Sequence, residues 1–239
     1  MSDFQQITLD NKNILFDPII FPSPGSEMFD GAYWKAQNSL TGSAIGRGTT
    51  YFFHYNDREF VLRHYRRGGL IGKFLQDQYL YTGLQNTRAW QEFQLLATMR
   101  GLDLPAPRPA AACVVHNGRG HYRADLISEK IPDAIDLYQL LLKTPLNKQT
   151  WHNIGKTIGT FHQHQVFHHD LNIHNIMLDS RQKVWLIDFD KCRFRAGDKW
   201  KLANIERLKR SIRKEQSLHS QYQVDKSSIQ SLLEGYVSS

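Results

Sequence analysis

"VFHHDLNIHNIMLD" runs from Val166 to Asp179, and "VWLIDFDK" follows from Val184 to Lys191. Five histidines lie between His162 and His174, interleaved with Asp and Asn, ahead of an apolar run that closes on Asp188-Phe189-Asp190. Three chemistries use such residues: a metal-ligand cluster, a His-Asp phosphohydrolase pair and the catalytic loop of a phosphotransferase. Zinc held by His162, His164 and His174 would lack the cysteine pair or HExxH spacing that usually accompanies it. A His169-Asp170 hydrolase pair would need further ligands on upstream helices, where the sequence is rich in β-formers instead. The third reading uses more of the residues. Asp170 and Asn175 stand five apart, and short strands over 175–178 and 184–187 around a polar turn bring Asn175 beside Asp188. Hard oxygen donors so placed suit Mg²⁺, which takes one or two protein groups together with phosphate oxygens. Asp170 is then free to orient an acceptor hydroxyl and take its proton. His168 is expected to pack beneath the loop in a structural role.

Working outward, the 239 residues suffice for one large domain or two lobes, and 41% apolar with 12% aromatic content describes a folded chain. Trp34, Trp90 and Trp151 are expected in the core. Two cysteines, Cys113 and Cys192, imply no disulfide framework and fit a reducing compartment. The N-terminus has no basic-then-apolar leader, and no apolar run approaches the ~18 residues of a membrane span, so a soluble or peripheral protein is expected. The net charge of +7 invites a nucleic-acid reading, but its distribution argues against one. Residues 191–214 hold ten Lys and Arg against Asp198 and Glu206, a local +8 that leaves the rest of the chain at −1. The basicity is one surface, not a general polyanion binder. No obligate protein partner is indicated.

Residues 1–40 are weakly patterned and read as an extension packed on the first lobe. Thr50–His54 and Glu59–Tyr65 are β-rich around Asn56-Asp57, a hairpin turn signal. Thr87–Arg100 has helical periodicity, "LPAPRP" at 104–109 interrupts it, and 110–116 and 121–131 flank Asn117-Gly118 as a second hairpin. Helices are predicted over 136–143, 147–165 and from 199 onward. The fold class is therefore α+β and bilobal, with an extension over 1–40, a β-rich lobe over 41–131 and a mainly helical lobe over 132–239.

His168-His169-Asp170 with Asn175, followed by Asp188-Phe189-Asp190, resembles the HRD…N and DFG signatures of protein-kinase-like folds. In register upstream, "GRGTTYFF" (46–53) resembles a shortened glycine-rich loop over nucleotide phosphates. "FVLRHY" (60–65) stands where a strand presents a phosphate-binding lysine, "RAWQEF" (88–93) offers Glu92 as its helix partner, and 128–131 resembles an adenine-binding hinge. The stretches "GRGTTYF", "VLRHYRRGG", "TRAWQE", "LPAPRP", "HHDLNIHNIM", "IDFDK" and "NIERLKRSIRK" make the finer resemblance, to the bacterial lipopolysaccharide kinases. That resemblance implies ATP and Mg²⁺ as cofactors and phosphorylation of a hydroxyl of 3-deoxy-D-manno-octulosonic acid (Kdo) in a Kdo–lipid A precursor. A core heptose is the alternative acceptor, and a catalytically silent binding module a further alternative. It implies Asp170, Arg63 and Glu92 as catalytic residues, and Gly46, Gly48, Thr49, Arg63, Glu129 and Ile131 as nucleotide contacts. Asn175 and Asp188 are the implied metal ligands.

Three signature positions depart from the general kinase pattern. Arg63 replaces lysine, keeping the charge but not the geometry. Asn172 replaces the lysine or histidine usual two places after the catalytic Asp, and Asp190 replaces a glycine. Arg66, Arg67 and Lys73 form a second basic group, read as contacts for an anionic acceptor or as solvated loop charges. In the basic tail, Leu202, Ile205, Leu208 and Ile212 form an apolar stripe with Arg207, Arg210 and Lys214 opposite, the pattern of a helix that can lie on an anionic bilayer. Peripheral attachment at the cytoplasmic face of the inner membrane is the resulting expectation.

Overall fold

The computed structural model describes residues 4–45, 49–66, 77–118 and 120–239. The chain forms two compact units, one made of residues up to Thr98 with Pro107–Lys130, the other of Met99–Ala106 with Ile131–Ser239.

The first unit is built on an antiparallel sheet. Its strands are β1 (Gln5–Leu9), β2 (Lys12–Phe16), β3 (Leu40–Ile45), β4 (Thr49–Tyr55), β5 (Arg58–His64), β6 (Tyr79–Leu80), β7 (Pro109–His116) and β8 (His121–Glu129). Their spatial order is β1-β2-β7-β8-β5-β4-β3, with β6 also paired to β8. The β4–β5 hairpin turns on Asn56 and Asp57, both left-handed at φ 46 and 58, as a type I′ connection requires. Asn and Asp tolerate that region better than other side chains do. The β7–β8 link is longer than the two-residue turn expected from Asn117-Gly118: the strands end at His116 and resume at His121. The first forty residues are also more than an extension, because β1 and β2 continue the sheet through the β2–β7 pairing. The short helix α1 (Gly31–Ala36) then lays Trp34 flat on Phe53, with ring centroids 3.8 Å apart, and the indole nitrogen donates to the Met28 carbonyl. Ile14, Phe16, Phe60, Leu62 and Ile127 complete this core, each side chain contributing roughly 1.5–3 kcal/mol of burial. Helix α2 (Arg88–Gly101) buries Trp90, Phe93 and Leu96 along one face.

The second unit is mainly helical. Helices α3 (Leu137–Lys143), α4 (Lys148–Gln163) and α6 (Lys226–Val237) are capped by Asp136, Asn147 and Asp225, whose side chains accept backbone amides of the first turn. Helix α5 (Lys201–Leu218) lies between α4 and α6 in sequence. Helices α4 and α6 pack backbone to backbone, because Gly155, Gly159 and Gly235 leave no room for a Cβ. One on Gly155 would stand 1.8 Å from the Leu232 carbonyl oxygen, and one on Gly235 1.9 Å from that of His152. Trp151, Ile154, Ile158 and Phe161 fill the core on the helix stripe predicted from the sequence. Two small sheets frame the loop of interest: β10 (Val166–Phe167) pairs with β13 (Arg193–Phe194), and β11 (Ile176–Leu178) lies between β12 (Val184–Leu186) and β9 (Ile135–Asp136). Among the described residues, no helix is long and apolar enough to cross a membrane.

Candidate active site

In the first unit, strand alternation puts Arg63 and Tyr65 on one side of the chain, since residues two apart share a face. Both meet Glu92 of α2. The Arg63 Nη2 lies 2.5 Å from Glu92 Oε1, and the Tyr65 hydroxyl donates to Glu92 Oε2 at 2.5 Å. Glu92 is 4% exposed and Arg63 27%, so the pair is largely desolvated. Tyr65 carries the Arg63 guanidinium over its ring at 5.2 Å. Burial, reinforced by the Glu92 charge, pushes the Tyr65 hydroxyl well above its usual range, so it stays a neutral donor. Thr49 opens β4 opposite Ile45, while Gly46 and Gly48 fall outside the described residues, as do Arg67 and Lys73; Arg66 is exposed. Glu129 closes β8 with its carboxylate held by Arg58 at 3.0 Å and Arg108 at 3.6 Å. Its backbone N–H is engaged as well, donating to the Arg108 carbonyl at 2.8 Å. Ile131, buried, begins the other unit.

In the second unit the β11–β12 register pairs Ile176 with Leu186, and the next amide along, Ile187 N–H, donates to the Asn175 carbonyl at 3.0 Å. This brings the backbone of Asn175 alongside Ile187, one residue before Asp188. The Asn175 carboxamide nitrogen donates to the Asp170 carbonyl at 2.9 Å, which leaves its oxygen as the acceptor that can meet a cation. Asp188 is left-handed at φ 62, a conformation that costs a non-glycine residue of order 1 kcal/mol and recurs where function holds the backbone. Phe189 anchors it, buried against Phe161 and His168. His168 takes the structural role expected of it: its Nε2 meets the Ile187 carbonyl at 2.9 Å, and burial depresses its basicity. The Cys192 sulfur accepts the His169 amide at 3.2 Å and so ties the two segments together, a role the cysteine count did not suggest.

The histidines do not converge. Both nitrogens of His162 are engaged, one with Tyr236 and one with Asn204, and His174 lies against Tyr138 and Glu215. Among the described residues no group of three or more His, Cys, Asp or Glu is placed to hold a metal.

Asn172, the departure two places after Asp170, is fully employed. Its Oδ1 accepts the His174 amide at 2.8 Å and its Nδ2 donates to the Asp170 carbonyl at 3.0 Å, capping the 3-10 turn Ile173–Asn175. The cation beside Asp170 is one the sequence reading had assigned elsewhere. Arg207 Nη1 of α5 lies 3.3 Å from Asp170 Oδ1. Other tail charges are also committed, Lys201 to Asp198 and Lys209 to Glu206. Leu202 corrects the predicted stripe: it is 70% exposed, while Asn204, Ile205, Leu208, Ile212 and Glu215 form the buried face. The regular 3-3-4 apolar spacing misplaced the stripe's start by one residue pair, since buried Asn204 and Glu215 are polar and drop out of any hydropathy count.

A sheet unit with a strand arginine clamped to a helix glutamate, and a helical unit with His-His-Asp, Asn and Asp-Phe-Asp on adjoining loops, define a protein-kinase-like fold. A solved WaaP in complex with acyl carrier protein shares it at TM-score 0.58 and 14% identity, over 86% of this chain and 82% of that one. The chain belongs to the Lipopolysaccharide kinase (Kdo/WaaP) family, whose profile matches residues 31–236. Among curated relatives, a 3-deoxy-D-manno-octulosonic acid kinase of Vibrio parahaemolyticus is 48% identical over 88% of both chains. Relatives of the same description from Vibrio vulnificus and Haemophilus influenzae are 44% and 45% identical, over 98% and 90% of this chain and 98% and 91% of theirs.

Proposed function

We propose that the chain transfers the γ-phosphoryl group of ATP to a hydroxyl of Kdo in a Kdo–lipid A precursor, during assembly of the lipopolysaccharide core. Family membership and relatives of that description support the acceptor. The observation that supports the chemistry is the bond from Ile187 N–H to the Asn175 carbonyl, which puts the backbone of Asn175, whose side chain is tethered to the Asp170 carbonyl, one residue from Asp188. Asn175 and Asp188 would hold Mg²⁺, and the donor set fits, being one carboxylate and one carboxamide oxygen with room for phosphate oxygens. When bound, Mg²⁺ neutralises charge on the β- and γ-phosphates. Asp170 orients the acceptor hydroxyl and receives its proton. In the other unit Arg63, held by Glu92 and Tyr65, contacts the triphosphate. Thr49, with Gly46 and Gly48, contacts the phosphates, and the main-chain carbonyl of Glu129 with the main chain of Ile131 meets the adenine. The enzyme works at the cytoplasmic face of the inner membrane, attached peripherally by the exposed basic residues of α5.

Transfer of label from γ-labelled ATP to Kdo–lipid IVA tests this reading. Transfer is expected from the wild type and lost in Asp170→Ala, with ATP binding kept. Label appearing on heptose-containing core and not on Kdo–lipid IVA would reassign the acceptor.

A further inference from the structure

Helix α5 does more than follow the catalytic loop in sequence; it runs alongside it. Asn204, Arg207, Ser211 and Glu215 recur at three, four and four residues, one face of a helix. They meet the loop in order. Asn204 Nδ2 donates to the His168 carbonyl at 2.7 Å, and Arg207 Nη1 reaches Asp170 Oδ1 at 3.3 Å. Ser211 Oγ accepts the Ile173 amide at 3.1 Å, and Glu215 lies 3.6 Å from His174 Nε2. Ile205, Leu208 and Ile212, buried beside this face, fix the helix against the unit's core.

Two of these four contacts, to the His168 carbonyl and the Ile173 amide, satisfy loop groups that would otherwise need partners, so they hold the loop's shape, while His174 is half exposed. Arg207–Asp170 differs. The side chains are 41% and 38% exposed, and ion pairs so solvated contribute about 0–1 kcal/mol to a fold. Stability therefore gives little reason for a guanidinium to be set there. Chemistry gives one. Phosphoryl transfer spreads charge over the equatorial oxygens of the moving group, and a cation beside the base stabilises it. The loop position from which kinases commonly supply that cation is Asn172, whose carboxamide is spent on the His174 amide and the Asp170 carbonyl.

We infer that Arg207 is a further catalytic residue: the loop's missing cation, supplied from α5, which contacts the γ-phosphoryl group as it moves. This rests on the transfer reaction proposed above. In the step, the acceptor hydroxyl oxygen forms the new bond to phosphorus. The bond from phosphorus to the β,γ-bridging oxygen breaks, ADP leaves with that electron pair, and the hydroxyl proton passes to Asp170. The Arg207 fork, released from Asp170 Oδ1 by the incoming hydroxyl, takes the equatorial oxygens.

The experiment is a kinetic split on the full-length enzyme with ATP and Kdo–lipid IVA. Arg207→Gln should fold and melt like the wild type, because the pair it breaks is solvated. It should lose about 10²–10³-fold in kcat, the usual cost of removing one transition-state donor, with both KM values nearly unchanged. Arg207→Lys should keep more of the rate than Arg207→Gln, because it retains a cation beside the loop. A kcat within about twofold of wild type in Arg207→Gln overturns the inference. So does a loss confined to the acceptor KM, which would make Arg207 an acceptor-binding residue, or one confined to vesicle binding, which would return it to the membrane face. A wild type that transfers nothing to Kdo–lipid IVA fails the underlying reading instead, so the two failures are told apart.

Discussion

Arg63 and Glu92 stand 2.5 Å apart, with the Tyr65 hydroxyl closing on the other carboxylate oxygen. The glutamate is thus bound at both carboxylate oxygens, and the arginine is 27% exposed. A planar fork can hold a carboxylate on one edge and phosphate on another, which a lysine ammonium does less well. The arginine at this position is therefore suited to its neighbours and is no sign of a silent site.

Arg63→Ala should remove the Arg63 cation from the buried Glu92 carboxylate. Removing one partner of a fully buried pair costs about 3–5 kcal/mol, and the partial exposure of Arg63 brings the expected loss down to about 1–3. The melting temperature should drop by a few degrees per kcal/mol for a chain of this size. Turnover should fall by about 10²-fold or more as triphosphate placement is lost. Arg63→Lys should recover most of the stability but only part of the rate. Thermal melts and ATP kinetics on both variants check this; equal rates for Arg63→Ala and wild type would return Arg63 to the surface.

Asp188 permits a clean separation of charge from strain. Its φ of 62 suits Asn nearly as well as Asp, so Asp188→Asn keeps the backbone while removing the negative oxygen. Calorimetry should show most of the Mg²⁺-dependent nucleotide affinity gone with little change in melting. Asp188→Ala should lose the same affinity and additionally about 1 kcal/mol of stability from the strained backbone. Unaltered Mg²⁺·ATP binding in Asp188→Asn would refute its place as a ligand.

His162 makes the fold sensitive to acid. Burial, opposed only in part by the bond to Asn204, lowers it from 6.5 to about 4. Below pH 6.5 the unfolded chain binds a proton that the folded chain refuses until about pH 4, so stability falls as pH drops through that window. At roughly 1.4 kcal/mol per pH unit the loss amounts to about 3 kcal/mol by pH 4. His168, depressed by burial as well, adds in the same direction. Denaturant unfolding at pH 7 and pH 4.5 should show the decline, and His162→Gln should flatten it while lowering stability at neutral pH. An unchanged slope in that variant would place the acid sensitivity elsewhere.

Gly155→Ala and Gly235→Ala should each destabilise the second unit, although alanine is the better helix former. Backbone stands where each Cβ would go, so α4 and α6 must part. Overpacking of this kind costs typically 1–3 kcal/mol. Gly101→Ala, with nothing near its Cβ, is the control and should melt at or slightly above the parent. Melting of all three variants checks the helix contact without touching the chemistry.

How far the sequence reached depended on how local the signal was. The Asn56-Asp57 hairpin, α2, α4 and the strand-turn-strand around residues 176–186 rest on patterns complete within about twenty residues, and all were legible. Strands β1 and β2 were not, because Gln5–Leu9 is mostly exposed and Lys12–Phe16 buries three consecutive residues, so neither alternates. Their place in the sheet is set by pairing with β7, about a hundred residues on. Gly155 and Gly159, four apart on α4, were a readable sign of close helix packing. Arg207 was hidden differently: a helix rich in cations does not announce which one turns inward. The one clue was Asn172, an absence at a position where a cation is usual.

The tail prediction changes accordingly. With Lys201, Lys209 and Arg207 committed to Asp198, Glu206 and Asp170, the exposed basic set on α5 is Arg210, Arg213 and Lys214, of which Arg213 lies 3.9 Å from Glu206. Each basic residue near an anionic surface contributes roughly 1 kcal/mol, so three give a partition of order 10²-fold, enough for reversible attachment. Co-sedimentation with vesicles containing anionic lipid should weaken as salt rises, since the Debye length shrinks from about 10 Å at 0.1 M to 3 Å at 1 M. Reversing Arg210, Arg213 and Lys214 to Glu should release the protein from vesicles while leaving transfer to detergent-dispersed acceptor intact, because none of the three touches the loop. Adding Arg207→Glu should then remove activity without further loss of binding. Salt-independent sedimentation, or full retention by the triple reversal, would leave the acceptor's own lipid as the anchor.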